Sequence, residues 1–228
     1  KDGEYISYHL NGEINEFGLY INGYRAGLWN IFDQDGNKTF DKYYTYKTVD
    51  ENKDYTETNI IKFNDYGDKL LEYSVNSYLL CRPAQDCFNT VYADEVMEGE
   101  YILYYDNGNI KEKGSYLNNV KNGLWTEYYT NGNIKSTIDF IEGNGMYKSF
   151  YDTPDSKLIF EDGFYSNDQR NGRWTERNKN GFLIREYFLT NGRLDSNKPI
   201  KLYAINEDST IVENNYISSE FYADGLPD

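Results

Sequence analysis

The chain has 228 residues, with 25 Tyr, 12 Phe and 3 Trp against 2 Met and 4 Pro, and 23 basic against 38 acidic side chains, a net charge of −15. That balance excludes a reader of phosphate backbones, which needs basic patches, and argues against docking on anionic lipid. No stretch approaches the ~18 apolar residues of a membrane span. Mean hydropathy is low, −0.83, but disordered chains lack aromatics, and here they recur at fixed spacing. Aromatic side chains favour pleated, half-buried strands, and 19 Gly supply turns, so the composition predicts an all-β protein.

The chain opens at Lys1 rather than Met, and Asp2-Gly3-Glu4-Tyr5 already reads as repeat sequence. A processed or trimmed N-terminus is the expectation, by signal-peptide removal or by choice of boundary. Five glycines, Gly3, Gly27, Gly99, Gly123 and Gly172, are each followed nine residues on by a second, at Gly12, Gly36, Gly108, Gly132 and Gly181. An irregular copy starts at Gly145, with Thr153-Pro154-Asp155-Ser156 in place of Asn-Gly. A fixed period of this length signals a repeat array.

Within each copy an aromatic-rich strand should run into an Asn-Gly or Asp-Gly turn, since both residue types tolerate φ > 0. A second strand follows, such as 110–116 or 134–140, and a second polar turn. Each repeat is thus a β-hairpin, and consecutive hairpins continue as a meander. A lone hairpin is marginal in water, whereas stacked ones stabilise each other. Sixteen or so strands would make an elongated, twisted antiparallel sheet roughly 75 Å long. A single repeat domain over 1–228 is expected: first repeats in 1–44, a divergent hairpin plus insertion in 45–98, main repeats in 99–194 and a C-terminal cap in 195–228.

Trp29, Trp125 and Trp174 lie two residues after a repeat Gly, and Tyr5, Tyr101 and Tyr147 hold that place in the other copies. They read as the structural core of the repeats. The Tyr-Tyr pairs, Tyr104-Tyr105 and Tyr128-Tyr129, should place one ring on each side of the sheet. Tyr104 and Tyr128 are accordingly candidate contacts for a protein or glycan partner.

Residues 45–98 break the pattern. A degenerate hairpin is expected over 60–75, turning at Tyr66-Gly67, and 77–97 matches no repeat. Insertions in repeat arrays often project from the binding side, which makes Arg82 and Tyr92 partner-binding candidates. Cys81 and Cys87 sit six apart and can close a short disulfide loop in an oxidising compartment. Two unrelated thiols are the alternative. A last hairpin around 206–209 should cap the array.

The pattern Gly-x-Trp-x-x-Tyr-Tyr-x-Asn-Gly-x-Ile, best seen from Gly123 to Ile134, resembles the MORN repeat in its bacterial variant form. That form occurs in YwqK-like antitoxin proteins and in exported proteins of uncharacterised role. The resemblance covers roughly 2–44 and 99–194. It implies a row of β-hairpins serving as a scaffold or binding surface without catalysis, and family members have been linked to membranes.

Chemical constellations are sparse. His9 alone offers neither a metal cluster nor a triad. The run from Asp33 to Asn37 resembles the start of a calcium loop, but position twelve is Tyr44 rather than Glu, so a hairpin turn is expected. No catalytic residue, metal ligand or cofactor is assigned. The reading is a non-enzymatic repeat scaffold that binds another protein, one with a basic surface. It would be an accessory subunit of a periplasmic or outer-membrane complex, without inserting in the membrane itself. A cytoplasmic antitoxin or immunity protein and a carbohydrate-binding module are the alternatives.

Overall fold

The computed structural model describes residues 2–50, 53–78, 95–154, 158–205 and 211–216. Cys81, Cys87, Arg82 and Tyr92 lie outside them. Among the described residues the chain is all-β, with seventeen strands and no helix. It divides into two compact units, 1–121 and 122–228.

The first unit holds β1 (Gly3–Tyr8), β2 (Ile14–Ile21), β3 (Tyr24–Phe32), β4 (Lys38–Asp50), β5 (Lys53–Phe63), β6 (Lys69–Tyr78), β7 (Val96–Tyr104) and β8 (Ile110–Leu117). Each pairs antiparallel with the next. The polar stretch after Thr45 is no break in the sheet. It continues β4 and β5 as paired strands, in register from Phe40↔Lys62 to Thr48↔Asp54, with a shift before Asp50↔Lys53. The turn at Tyr66-Gly67 joins β5 to β6, and β7 pairs directly with β6, so 79–94 connects two neighbouring strands.

The second unit holds most of β9 (Val120–Tyr128), then β10 (Ile134–Ile141), β11 (Asn144–Phe150), β12 (Ile159–Ser166), β13 (Gln169–Arg177), β14 (Leu183–Thr190), β15 (Arg193–Leu194), β16 (Ile200–Ile205) and β17 (Ile211–Tyr216). It is also an antiparallel meander. In it β14 pairs with the short β15 and again with β16. The closing hairpin β16–β17 stands where the sequence places it.

Two turn types alternate, and only one behaves as expected. At Asn11-Gly12, Asp35-Gly36, Asn107-Gly108, Asn131-Gly132 and Asn180-Gly181 only the Gly has positive φ. The Gly N–H donates to the carbonyl three residues back, as in Gly132 to Tyr129. This is a type I turn closed by a left-handed Gly, the three-residue hairpin loop. Its Asn is used for its side chain instead: Asn131 Oδ1 accepts from the Asn133 N–H at 2.9 Å. Asn22-Gly23, Asn118-Asn119, Glu142-Gly143, Asn167-Asp168 and Asn191-Gly192 have both residues at positive φ. These are the two-residue loops whose twist matches the flanking strands, in register at Ile21↔Tyr24 and Ser166↔Gln169.

In each unit a Tyr and a Trp ring pack over a bare α-carbon. Gly18 on β2 is paired with Tyr5 on β1, and residues 27–29 oppose it alone on β3, because the register jumps between Phe17↔Asn30 and Leu19↔Ala26. A Cβ on Gly18 would lie 2.3 Å from the Trp29 ring. The Tyr5 and Trp29 rings meet over the glycine, with centroids 5.6 Å apart. Gly163 repeats the arrangement between Tyr147 and Trp174, where a Cβ would sit 2.2 Å from the indole and the centroids are 5.5 Å apart. Trp29, Trp125 and Trp174 are all buried, while Tyr101 and Tyr147 are half-buried. Overpacking of this kind costs about 1–3 kcal/mol. Gly163→Ala is therefore expected to lower stability by about 3 kcal/mol in urea unfolding, because indole and strand must both move; a loss under about 0.5 kcal/mol would refute the close seat.

Candidate functional site: the two faces of the sheet

The seat belongs to a longer motif that crosses the boundaries drawn from the turn glycines. Glu16, Gly18, Tyr20, Asn22, Arg25, Gly27 and Trp29 recur as Glu161, Gly163, Tyr165, Asn167, Arg170, Gly172 and Trp174. Glu112, Gly114, Tyr116, Asn118, Lys121, Gly123 and Trp125 keep the same spacing. The sequence reading treated Tyr and Trp after the repeat Gly as interchangeable. They are ordered instead: Tyr5, Tyr101 and Tyr147 approach one side of a glycine-bearing strand, and Trp29 and Trp174 the other. The missed signal was the constant eleven residues from Gly to Trp and nine from Glu to Arg or Lys.

The charged members of the motif cover the rings. Arg25 lies 4.0 Å above the Trp29 ring and Arg170 4.1 Å above Trp174, each such contact contributing about 0.5–2 kcal/mol. Arg25 pairs with Glu16 at 2.8 Å, Lys121 with Glu112 at 2.7 Å and Arg170 with Glu161 at 2.6 Å. Glu161 is buried and saturated. Both its oxygens accept from Arg170, and Oε1 also accepts the Tyr187 hydroxyl at 2.6 Å. Burial, the bond to Glu161 and the Glu161 charge push the Tyr187 phenol well above its usual value. Burial opposes the Arg170 charge, but bonds to Glu161 and Tyr165 outweigh it and raise the guanidinium. This constellation pairs charges and covers rings.

The opposite face is different. In the second unit, register sets Leu124, Asp139, Met146 and Phe164 side by side on β9 to β12. Leu124 is 61 % exposed, Met146 54 % and Phe164 39 %. In the first unit, Ile6 pairs with Phe17 and Leu28 with Tyr43, and all four are exposed. Carboxylates stand among them, with Asp41 accepting from Asn30 at 2.6 Å.

Tyr104 lies on this face, since Tyr73 pairs with Tyr101 and Glu72 with Ile102. It is half-buried and donates its hydroxyl to Glu72. Burial and that bond raise its phenol. Tyr128 is half-buried at the end of β9, opposite Ile134. His9 spends Nε2 on the Phe32 carbonyl at 3.0 Å. Tyr129 and Tyr151 reach the carbonyls of Phe150 and Arg177 in the same way, tying each turn to the next hairpin. Asp33 caps its own turn: Oδ1 accepts from the Asp35 and Asn37 N–H groups, which lowers its carboxyl. Among the described residues no group of three or more His, Cys, Asp or Glu is placed to hold a metal ion.

Residues 97–118 and 121–142 match the family model described as MORN repeat variant. Residues 97–142 thus carry two copies of the MORN repeat variant. The matched segments begin two residues before Gly99 and Gly123, the copies from which the resemblance was read. Comparison of the whole chain with curated proteins gives no match. In the matched copies the aromatic after the repeat Gly, Tyr101 or Trp125, packs on the core face, which is committed to folding.

Two outcomes check this electrostatic reading. Arg170→Met strands the buried Glu161 and should cost about 3 kcal/mol, whereas Lys113→Met, which breaks the exposed pair with Glu100, should cost under about 1 kcal/mol in urea unfolding. Tyr187 has a folded pKa above its unfolded value of about 10, so its contribution is complete below pH 10 and is lost as pH rises beyond it. Thermal melting from pH 8 to 11.5 should fall less steeply for Tyr187→Phe than for the parent chain; equal slopes would show that Tyr187 does not carry the effect.

Proposed function

We propose that this MORN-repeat chain is a non-enzymatic binding scaffold whose partner is a protein with an apolar groove rimmed by basic side chains. The observation that carries the proposal is the exposed row Leu124, Asp139, Met146 and Phe164. A flat sheet face offering Leu, Met and Phe beside a carboxylate has the make-up of an interface core with a charged flank. The partner's basic rim follows from the chain's net charge of −15. Such attraction speeds encounter more than it tightens the complex, and salt weakens it.

At the finer level, the scaffold is an accessory subunit of a bacterial cell-envelope complex, exported to the periplasm and docked on an outer-membrane assembly. Supporting this are the acidic composition, which suits a solvated compartment, and the spacing of Cys81 and Cys87, which suits a disulfide where oxidants are present. A cytoplasmic antitoxin is the second reading, because the same acid-flanked face would cover a basic toxin.

Native purification from the source cells, with intact-mass measurement, separates the two. The proposal expects a stoichiometric envelope protein, a chain two hydrogens light for the Cys81–Cys87 bond, and a complex weakened by high salt. Leu124→Asp with Met146→Asp should abolish the complex while leaving the thermal transition within a few degrees of the parent. Retention of the partner by that double variant would overturn the face assignment. A reduced chain bound to a small basic toxin would overturn the envelope assignment.

A further inference from the structure

The first unit carries a cavity of about 430 Å³ on its tryptophan face, away from the exposed apolar face. Register brings its walls together. Tyr20 pairs with Arg25 across β2 and β3, Tyr44 with Gly27 and with Thr58 across β3 to β5, and Lys42 with Trp29. Thr58 and Ser77, both buried, form the floor, and the exposed Glu95 stands at the rim.

The polar groups are unevenly spent. The Arg25 guanidinium is fixed over Trp29 by Glu16 at 2.8 Å and faces the Tyr44 hydroxyl at 3.5 Å. Lys42 has no carboxylate within ion-pair distance among the described residues; its Nζ lies 5.7 Å from the Phe40 ring. The Thr58 and Ser77 hydroxyls likewise have no hydrogen-bond partner among those residues. Neither hydroxyl is sealed from solvent; both open to the cavity, where with the Lys42 ammonium they are the polar groups offered to a ligand that enters it.

The lining defines what that is. There is no aliphatic side chain in it, which excludes a fatty tail. Glu16 is paired with Arg25, which leaves Lys42 as the cation of the lining with no paired carboxylate among the described residues; one carboxylate matches its charge, whereas a phosphate dianion would exceed it and be repelled by Glu95. Hydroxyls on the same ligand would meet Thr58, Ser77 and Glu95, and its C–H faces would lie against the two Tyr rings. The volume is in the range of small-ligand pockets.

We infer that this cavity binds a hydroxylated monocarboxylate of monosaccharide size, a sugar acid. The site lies in the first unit and the protein-docking row in the second, so either can fail without the other.

The test is a titration of the full-length chain with sodium glucuronate, followed by amide NMR shifts, with glucose and propionate as the ligands lacking the carboxylate or the hydroxyls. Glucuronate should give saturable shifts at Arg25, Lys42, Tyr44, Thr58 and Ser77, with the two controls at least tenfold weaker. Lys42→Gln and Thr58→Val should each weaken glucuronate at least tenfold, with unchanged thermal transitions reporting intact folds. Absence of saturable shifts would overturn the inference. So would propionate binding as well as glucuronate, or glucuronate affinity unchanged in both variants.

Discussion

The structure depends on two aromatic rings closing over a glycine. Tyr5 and Trp29 do so over Gly18, and Tyr147 and Trp174 over Gly163. Three residues oppose that glycine on the following strand, so the sheet bulges there and brings the indole down onto the vacated Cβ position. Each fully buried aromatic stabilises by about 1.5–3 kcal/mol. Arg25 and Arg170 then lie over the indoles, covering apolar surface with side chains that keep their charge paired. This resolves the oddity of the composition. A chain with mean hydropathy of −0.83 folds because its core is a file of rings under charged lids and needs few aliphatic residues.

The turns complete the scheme. A three-residue loop with one left-handed Gly alternates with a two-residue loop in which both residues are left-handed. The first type is also where hairpins are tied together, through His9 and Tyr129 and through Asn131 and Asn133, which both donate to Asp152; Tyr151, in the irregular turn, reaches the Arg177 carbonyl in the same way. His9 is thereby engaged in joining repeats, while Asp33 closes its own turn.

The hairpin period, the all-β class, the core tryptophans and the closing hairpin were legible because turn glycines and aromatics keep strict spacing. The extension of β4 and β5 through 45–57 was not. Its residues are polar, and β pairing rests on register with a neighbour rather than on local apolar content. The division of labour between Tyr and Trp was hidden because the glycines between them, Gly18, Gly114 and Gly163, are not in turns. The Tyr104 reading fixed its face by alternation, but the bond to Glu72 joins residues 32 apart, which no local pattern reveals. The cavity beneath Lys42 is likewise assembled from five strands and leaves no motif.

The functional account follows from the same asymmetry. One face is spent on rings and ion pairs, and the other keeps Leu, Met and Phe exposed at fixed positions. Native-state hydrogen exchange measured residue by residue tests this most directly. The account predicts that the slowest amides lie on β2 and β3 around Gly18 and on β12 and β13 around Gly163, with exchange quickening away from each seat. Uniform protection along the strands, or fastest exchange at those glycines, would contradict it.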